Sequence, residues 1–329
     1  MNLPNKDEVF KINNPGDFTR LSLQIFRYQA ENNPIYKKFI QYLNIKPEAI
    51  DSLAKIPFLP IQFFKSHQVA TQPPPYDTIF KSSGTTGMTR SHHYIKNLNL
   101  YEQSFLKTFE FFFGNIQEYN ILALLPSYIE QGNSSLVYMT KSLIKKSKKK
   151  DSDFYLYNTD ELANTLYKLE ENNEKTILLG VSYALLDFSE KYHFQLKNTI
   201  VMETGGMKGR KKEMLREELH SILSKRFGVK NIYSEYGMTE LLSQSYSFGN
   251  GIFQTPPWKK ILIRDTEDPF CYLPNGKTGG INIIDLANIY SCSFIATQDL
   301  GQKTDSNHFK IMGRFDHSDV RGCNLLIVS

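Results

Sequence analysis

The spacing of apolar residues predicts helices at the start of the chain. Apolar positions recur every three or four residues through 18–30 and again through 35–43, as in amphipathic helices. Asn33 and Pro34 divide the two helices, and proline suits the first turn of the second one. The following apolar stretch, IPFLPIQFFKSHQVA, contains two prolines, which exclude a regular helix.

The middle of the chain alternates between buried strands and helices. The predicted strands are YNILALLPSY, FYLYN, TILLGV, NTIVMETGG and VKNIYSEYG. The predicted helices are residues 99–113, SSLVYMTKSLIKK, TDELANTLYKLEEN with Thr159 as its N-cap, SYALLDFSEKY, and the amphipathic KKEMLREELHSILSKRFG, which Gly228 ends. This alternation predicts an α/β protein with layered, mostly parallel sheets.

From about residue 250 the pattern changes to short strands separated by turns, namely KKILIRD, TGGINIIDL, SFIATQDL and HFKIMGRF. This change predicts a β-rich subdomain. We therefore expect three parts: a helical segment and connector over 1–80 packed on the main domain, an α/β core over 81–249, and the β-rich part over 250–329.

Composition narrows the classes of function. The chain has 40% hydrophobic and 22% charged residues and a net charge of only +5. Its one dense basic run, within 145–150, is typical of a solvated loop, and it lacks the aromatic residues that nucleic-acid binding surfaces carry between their charges. Neither an apolar leader nor a run of roughly 20 apolar residues is present. We therefore expect a cytoplasmic protein without a membrane span or a nucleic-acid partner.

Three cysteines, Cys271, Cys292 and Cys323, have neither CxxC pairing nor histidines at metal-binding spacing. A disulfide framework or a zinc site is therefore not expected, and reduced thiols fit the composition better.

The stretch KSSGTTGMTR, residues 81–90, is rich in glycine and hydroxyl side chains. Successive backbone N–H groups in such a turn can form an anion nest, to which hydroxyls add donors. The P-loop pattern is not met, because the glycine and lysine that should follow Gly84 at the required spacing are missing. The stretch alone leaves two interpretations, a phosphate-binding loop and a flexible surface loop.

Further candidate residues follow the ends of predicted strands. In YSEYGMTE, Tyr236 offers a face for a purine, Thr239 a phosphate contact, and Glu240 a hard oxygen ligand for Mg²⁺. Asp299, in TQDLG, is suited to a ribose diol, and Arg314 follows in GRFDHSDVRG. Each also has a simpler interpretation as a capping acid, a turn residue or a surface ion pair.

Taken in order, SSGTTG, the GG strand end, YGMTE, PNGKTGG, TQDLG and GRFDHSDVRG resemble the core motifs of the adenylate-forming superfamily. That superfamily contains acyl-CoA ligases, peptide-synthetase adenylation domains and luciferase. The resemblance spans residues 81–323, and SSGTTG with YGxTE is its most specific pair. It implies the large N-terminal domain of such an enzyme, with an ATP- and acyl-binding core over 81–249 and a hinge-like C-terminus.

The resemblance also implies a set of site residues and the cofactors ATP and Mg²⁺. The implied cofactor-binding residues are Ser82, Ser83, Gly84, Thr85, Thr86, Gly87, Gly205, Gly206, Tyr236, Gly237, Asp299 and Arg314. Thr239 and Glu240 are the implied catalytic residues of the YGMTE motif, with Glu240 as the metal ligand.

Two features depart from the superfamily pattern. Members usually carry a C-terminal lid with a catalytic lysine, and this sequence stops about where the lid would begin, so that Lys96, Lys208 or a partner would have to substitute. The loop also has Met88-Thr89-Arg90 where a lysine is common. Arg90 can replace the charge of that lysine but not its point-charge geometry.

Within the superfamily the chain resembles the LuxE-like acyl-protein synthetases, through IPFLPIQFFKSHQV and RGCNLL. That resemblance implies a fatty acid substrate, a thioester on Cys323, and an acyl-accepting reductase or carrier as partner. Arg321 and His317 are near enough in sequence to lower the pKa of the thiol. The alternative for Cys323 is a small buried residue in a terminal strand. His92 and His93, just after the loop, are expected to be turn residues rather than catalytic bases. The alternative is that one of them faces the substrate carboxylate.

The sequence therefore predicts an ATP-dependent ligase that forms an acyl-adenylate and transfers the acyl group to a thiol, the enzyme's own Cys323. Two alternatives stay open. One is a ligase that passes the acyl group to CoA or a carrier protein and uses a lid from another chain. The other is a nucleotide-binding scaffold without turnover.

Overall fold

The computed structural model describes residues 2–83, 89–125, 133–205 and 214–315. The helices within these ranges are α1 (Lys6–Val9), α2 (Pro15–Asn32), α3 (Pro34–Tyr42), α4 (Phe63–Ser66), α5 (Leu98–Phe113), α6 (Ser135–Ser147), α7 (Thr159–Glu171), α8 (Ser182–Lys191) and α9 (Arg216–Phe227).

The strands are β1 (Leu59–Pro60), β2 (Thr78–Lys81), β3 (His92–Ile95), β4 (Asn120–Leu124), β5 (Asp153–Phe154), β6 (Thr176–Val181), β7 (Thr199–Thr204), β8 (Tyr233–Tyr236), β9 (Ser245–Ser247), β10 (Ile252–Gln254), β11 (Lys259–Arg264), β12 (Thr278–Asp285), β13 (Phe294–Lys303) and β14 (His308–Arg314).

Asn33 lies between two helices, as the C-cap of α2 and the N-cap of α3. Its side-chain oxygen accepts hydrogen bonds from the backbone N–H groups of Ile35 and Tyr36, and its side-chain nitrogen donates to the carbonyl of Ser291. An N-cap oxygen satisfies donors that the first turn of a helix leaves free. The predicted division of the two helices at Asn33 and Pro34 is confirmed.

The parallel part of the main sheet holds β5, β4, β6, β7 and β8 in that order. Every residue of β4 and β6 is buried, as expected of parallel strands that helices cover on both faces. The predicted alternation of strands and helices, and hence the α/β fold, is confirmed.

The strands predicted after residue 250 continue this same sheet as antiparallel neighbours. The order runs from β8 through β9, β10, β14, β13 and β12 to β11, and β1 pairs in parallel with β13. In the described part of the chain, β2 and β3 form a separate two-stranded sheet, and all the other strands belong to one mixed sheet.

Two local predictions are wrong. Thr159 is the first residue of α7, and Asn158 occupies the N-cap position without a side-chain capping bond. Of the FYLYN stretch only Phe154 lies in a strand, because β5 consists of Asp153 and Phe154, which pair with Leu122 and Ala123 of β4. Within the described ranges, no helix combines the length and apolar character needed to cross a membrane.

Candidate functional site

The structure describes part of the predicted site. The described members are Ser82, Ser83, Gly205, Tyr236, Gly237, Thr239, Glu240, Asp299 and Arg314. Gly84, Thr85, Thr86, Gly87, Gly206 and Cys323 lie outside the described residues, as do Met88 of the loop and Lys208.

Ser82 and Ser91 close the base of the glycine-rich stretch. The N–H of Ser82 donates to the carbonyl of Ser91 at 3.1 Å, and the N–H of Ser91 donates to the Ser82 hydroxyl oxygen at 2.9 Å. These two bonds extend the pairing of β2 with β3.

Glu240 lies beside this base and is 5% exposed. Burial raises the pKa of its carboxyl, while a hydrogen bond from the Ser91 side chain favours the carboxylate. The charges of Arg314 and Asp299 also act on Glu240, in opposite directions. The structure therefore brings the YGMTE turn to the base of the glycine-rich stretch.

Tyr236, Asp299 and Arg314 form a second group. The Tyr236 hydroxyl donates to Asp299 Oδ2 at 2.7 Å, and Arg314 Nε donates to Asp299 Oδ1 at 3.0 Å. Asp299 and Arg314 are direct cross-strand partners on β13 and β14. Asp299 is 6% exposed, whereas the Arg314 side chain is 76% exposed, so this pair joins a buried carboxylate to the surface.

The ring of Tyr236 is buried rather than open to solvent. It packs edge-on against Phe253 and Phe309, and Lys259 Nζ lies 5.5 Å from its centroid. Burial raises the pKa of the Tyr236 hydroxyl well above its usual value, which keeps the donor to Asp299 protonated.

The carboxyl end of β7 lies next to this group. Gly205 has φ of 68°, and its carbonyl accepts from the Ser182 hydroxyl at 2.6 Å. Beside it Glu203 faces Arg216 and His220, at 3.4 and 3.5 Å. Burial alone would raise the pKa of Glu203, but His220 and Arg216 outweigh it and lower that pKa.

Gly237 follows β8 at the start of the turn. A Cβ at this position would lie 2.5 Å from Glu235 Oε1, so a side chain here requires the buried Glu235 carboxyl to shift. Glu235 Oε2 accepts from the Thr204 hydroxyl at 2.6 Å, which links the turn to β7.

Sequence reasoning missed His93 and Asn288. Both histidines of the HHYI stretch lie in β3, not in a turn, and His93 is buried. Its Nδ1 lies 2.7 Å from the Thr239 carbonyl, and its Nε2 lies 3.1 Å from Asn288 Oδ1. Buried and half-buried residues alternate in β3, as in a strand with one covered face. Two histidines side by side conceal this alternation in the sequence.

The donor set suits a Mg²⁺ ion that is bound mainly through a nucleotide. The residues that the structure describes contain no group of three or more His, Cys, Asp or Glu side chains able to hold a metal. Glu240 supplies one buried carboxylate, and Mg²⁺ in proteins is commonly bound by one or two carboxylates together with substrate phosphates and water. Glu240 fits that requirement.

Solved structures share this fold. Crystal structures of 2-hydroxyisobutyryl-CoA ligase, in the postadenylation state with R3-HIB-AMP and in the thioesterification state with 2-HIB-AMP and CoA, match with TM-scores of 0.64 and 0.63. Each is 14% identical, and each match covers 92% of this chain and 68% of that chain.

ATP-bound MatB from Rhodopseudomonas palustris matches with a TM-score of 0.54 and 19% identity, over 72% of this chain and 47% of that chain. The matched region thus spans about half the length of MatB. At these identities the likeness to both proteins shows the fold alone.

A family model places the chain more narrowly. The model of the LuxE acyl-protein synthetases matches residues 122–329, well over half of the chain, and the chain therefore belongs to that family of adenylate-forming ligases. The matched range includes Tyr236, Glu240, Asp299, Arg314 and Cys323. A search of curated proteins returned no match.

Proposed function

We propose that this protein uses ATP to activate a carboxylic acid as an acyl-adenylate and passes the acyl group to a thiol. The observation that carries the proposal is the meeting of three elements at one site: the base of the glycine-rich stretch, the Thr239–Glu240 turn, and the Tyr236–Asp299–Arg314 group. Membership of the LuxE family supports the reaction class.

In the first step, one carboxylate oxygen of the acid attacks the α-phosphorus of ATP, and the bond to pyrophosphate breaks. Asp299 would accept hydrogen bonds from the ribose hydroxyls through lone pairs that Tyr236 and Arg314 leave free. Thr239 would donate to a phosphate oxygen, and Glu240 would hold Mg²⁺. Mg²⁺, when bound, would neutralise charge on the phosphates.

In the second step, a thiolate sulfur attacks the acyl carbonyl carbon, and the bond from that carbon to the AMP oxygen breaks. The thiol gives up its proton before the attack, and thiols are good nucleophiles even when only a few per cent are ionised. We propose Cys323 as this thiol, on its match to the family's C-terminal motif, and a fatty acid as the substrate. A reductase or carrier protein would then take the acyl group.

Pyrophosphate exchange into ATP tests the first step. We expect exchange that depends on one or more members of a panel of fatty and aryl acids. Glu240→Gln should lower the exchange rate by at least about 100-fold. Absence of exchange with every acid at saturating ATP, in a protein that still binds ATP, would favour the nucleotide-binding scaffold and refute the proposal.

A labelled acid tests the thioester. We expect hydroxylamine-sensitive label on the protein, which Cys323→Ser loses while it keeps pyrophosphate exchange. Label that persists in Cys323→Ser would refute the role of that thiol.

Transfer to CoA is the second candidate, because 2-hydroxyisobutyryl-CoA ligase, which shares the fold, has been crystallised with CoA. Formation of acyl-CoA by the isolated protein at an equal rate in Cys323→Ser would favour this alternative.

A further inference from the structure

The YGMTE turn is held from behind by two buried side chains. His93 Nδ1 lies 2.7 Å from the carbonyl of Thr239, and Asn288 Nδ2 donates to the carbonyl of Glu240 at 2.8 Å. Both side chains are 1% exposed. Two consecutive carbonyls are thereby fixed, and with them the directions of the Thr239 and Glu240 side chains.

We infer that His93 and Asn288 are positioning residues, which aim Thr239 and Glu240 at the nucleotide. The inference rests on the proposed function, since it assigns a role within that reaction. Neither residue belongs to the motifs that predicted the site, and both contact the turn through its backbone carbonyls.

The orientation of the Asn288 amide follows from its partners. Asn288 Nδ2 donates to the carbonyls of Glu240 and Cys292, and carbonyl oxygens only accept. Oδ1 is therefore the atom that faces His93 Nε2. Gln29 Nε2 donates to the backbone carbonyl of Asn288 at 3.0 Å and so holds the segment that carries Asn288.

The ring proton of His93 belongs on Nδ1. Both ring nitrogens face oxygens that only accept, and the shorter contact, 2.7 Å from Nδ1 to the Thr239 carbonyl against 3.1 Å from Nε2 to Asn288 Oδ1, is the one that takes the hydrogen. Burial lowers the pKa of His93 to about 4, and a neutral ring has only one N–H. Nε2 then carries no hydrogen and cannot donate to Asn288 Oδ1. The hydrogen bond from Nδ1 to the Thr239 carbonyl is therefore the one that fixes the ring.

Strand β3 transmits this position to the glycine-rich stretch. Ser91 and His93 are two residues apart, so their side chains lie on one face of the extended chain. Ser91 contacts Glu240 and His93 contacts Thr239. Phe64 packs edge-on against the His93 ring, with the centroids 5.7 Å apart, and holds it from the other side.

The test compares three variants in the acid-dependent pyrophosphate exchange. His93→Phe keeps a packed ring but removes the donor, so kcat should fall about 100-fold while KM for ATP changes little, as expected when misplacement affects the transition state. His93→Asn returns a nitrogen at the δ position and should recover most of the rate. His92→Phe, the neighbouring strand residue, should match the wild type.

A folded His93→Phe protein with the wild-type kcat would refute the inference while leaving the proposed function intact. A wild-type protein without exchange would refute both. If His93→Phe fails to fold, ¹⁵N NMR of the wild-type histidines decides, with the His93 signal assigned by its absence from His93→Asn. A proton on Nδ1 supports the inference, and a proton on Nε2 alone overturns it.

Discussion

Glu235 is a buried carboxyl group whose charge depends strongly on its surroundings. Its side chain faces the Thr204 hydroxyl and a small cavity with apolar walls, formed in part by Phe109, Met139 and Tyr246. Burial raises its pKa to about 7, against the opposing effects of the Thr204 hydrogen bond and the charge of Lys259. Glu235 therefore changes charge near neutral pH, and it lies in β8 directly before the YGMTE turn.

Replacing Glu235 with Gln should stabilise the protein more at pH 8 than at pH 5. The folded-state pKa of Glu235 lies above the ordinary value of 4.5, so the stability linked to the bound proton is present below 4.5 and lost as pH rises through about 7. Glu235→Gln does not titrate, and its advantage should grow by up to about 3 kcal/mol across that window. Urea unfolding at both pH values measures it, and an equal effect at both would contradict the assignment.

Asp299→Asn should weaken the use of ATP. Both carboxylate oxygens of Asp299 already accept a hydrogen bond, and the loss of charge weakens the contact to Arg314 and to the proposed ribose hydroxyls. Because hydrogen bonds to charged groups contribute about 1.5–3 kcal/mol, we expect KM for ATP to rise roughly 10- to 100-fold. The exposed Asp268→Asn serves as control, and an unchanged KM in Asp299→Asn would contradict the role.

At the scale of elements, the sequence predicted strands with uniform burial and missed those defined by tertiary contacts. TILLGV became β6 at its predicted place, because an apolar run of six residues is typical of a strand covered on both faces. HHYI gives no such signal, and β3 forms because it pairs with β2 and because His93 finds partners on distant segments.

The candidate site likewise contains residues that the sequence predicted and residues that it did not. Tyr236, Asp299 and Glu240 could be named from motifs. Asp299 lies within β13, however, and not after a strand as the sequence predicted. Asn288 could not be named from a motif, because its role depends on which carbonyls the folded chain brings within reach. The N-cap of α7 was missed because Thr159 and Asn158 are both acceptable cap residues by type.

In the turn after β8, a side chain at Gly237 should destabilise the protein, and it should do so less when Glu235 is shortened. Gly237→Ala should destabilise the protein by about 1–3 kcal/mol, since the new Cβ would lie 2.5 Å from the Glu235 carboxyl oxygen. In the Glu235→Ala background the same change should cost about 1 kcal/mol less. A double-mutant cycle in urea measures the coupling, and strictly additive effects would contradict the contact.

At the scale of the whole molecule, the N-terminal helices are attached to the segment that supports the site. Gln29, on α2, donates to the carbonyls of Asn288 and Ile289 and accepts from the N–H of Ser293 at 2.9 Å. The pairing of β1 with β13 adds a second connection. The position of Asn288, and through it that of Glu240, thus depends on Gln29, which is 259 positions from Asn288 in sequence.

Gln29→Leu should lower the free energy of unfolding by about 2–4 kcal/mol, because the buried carbonyl of Ile289 and the buried N–H of Ser293 lose the hydrogen bonds that Gln29 supplies. The exposed Gln24→Leu on the same helix should stay within about 0.5 kcal/mol of the wild type. Urea unfolding measures both. Equal effects of the two changes would show that the buried bonds do not hold the helix.

If the acid itself attacks ATP, one of its carboxylate oxygens must end up on AMP. The protein is incubated with ATP and an acid that supports exchange, labelled with ¹⁸O in both carboxyl oxygens, and the nucleotide products are analysed by mass spectrometry. Acyl-adenylate formation followed by attack on the carbonyl carbon predicts AMP that carries one ¹⁸O atom from the acid. Unlabelled AMP, or ADP as the nucleotide product, would contradict the proposed reaction.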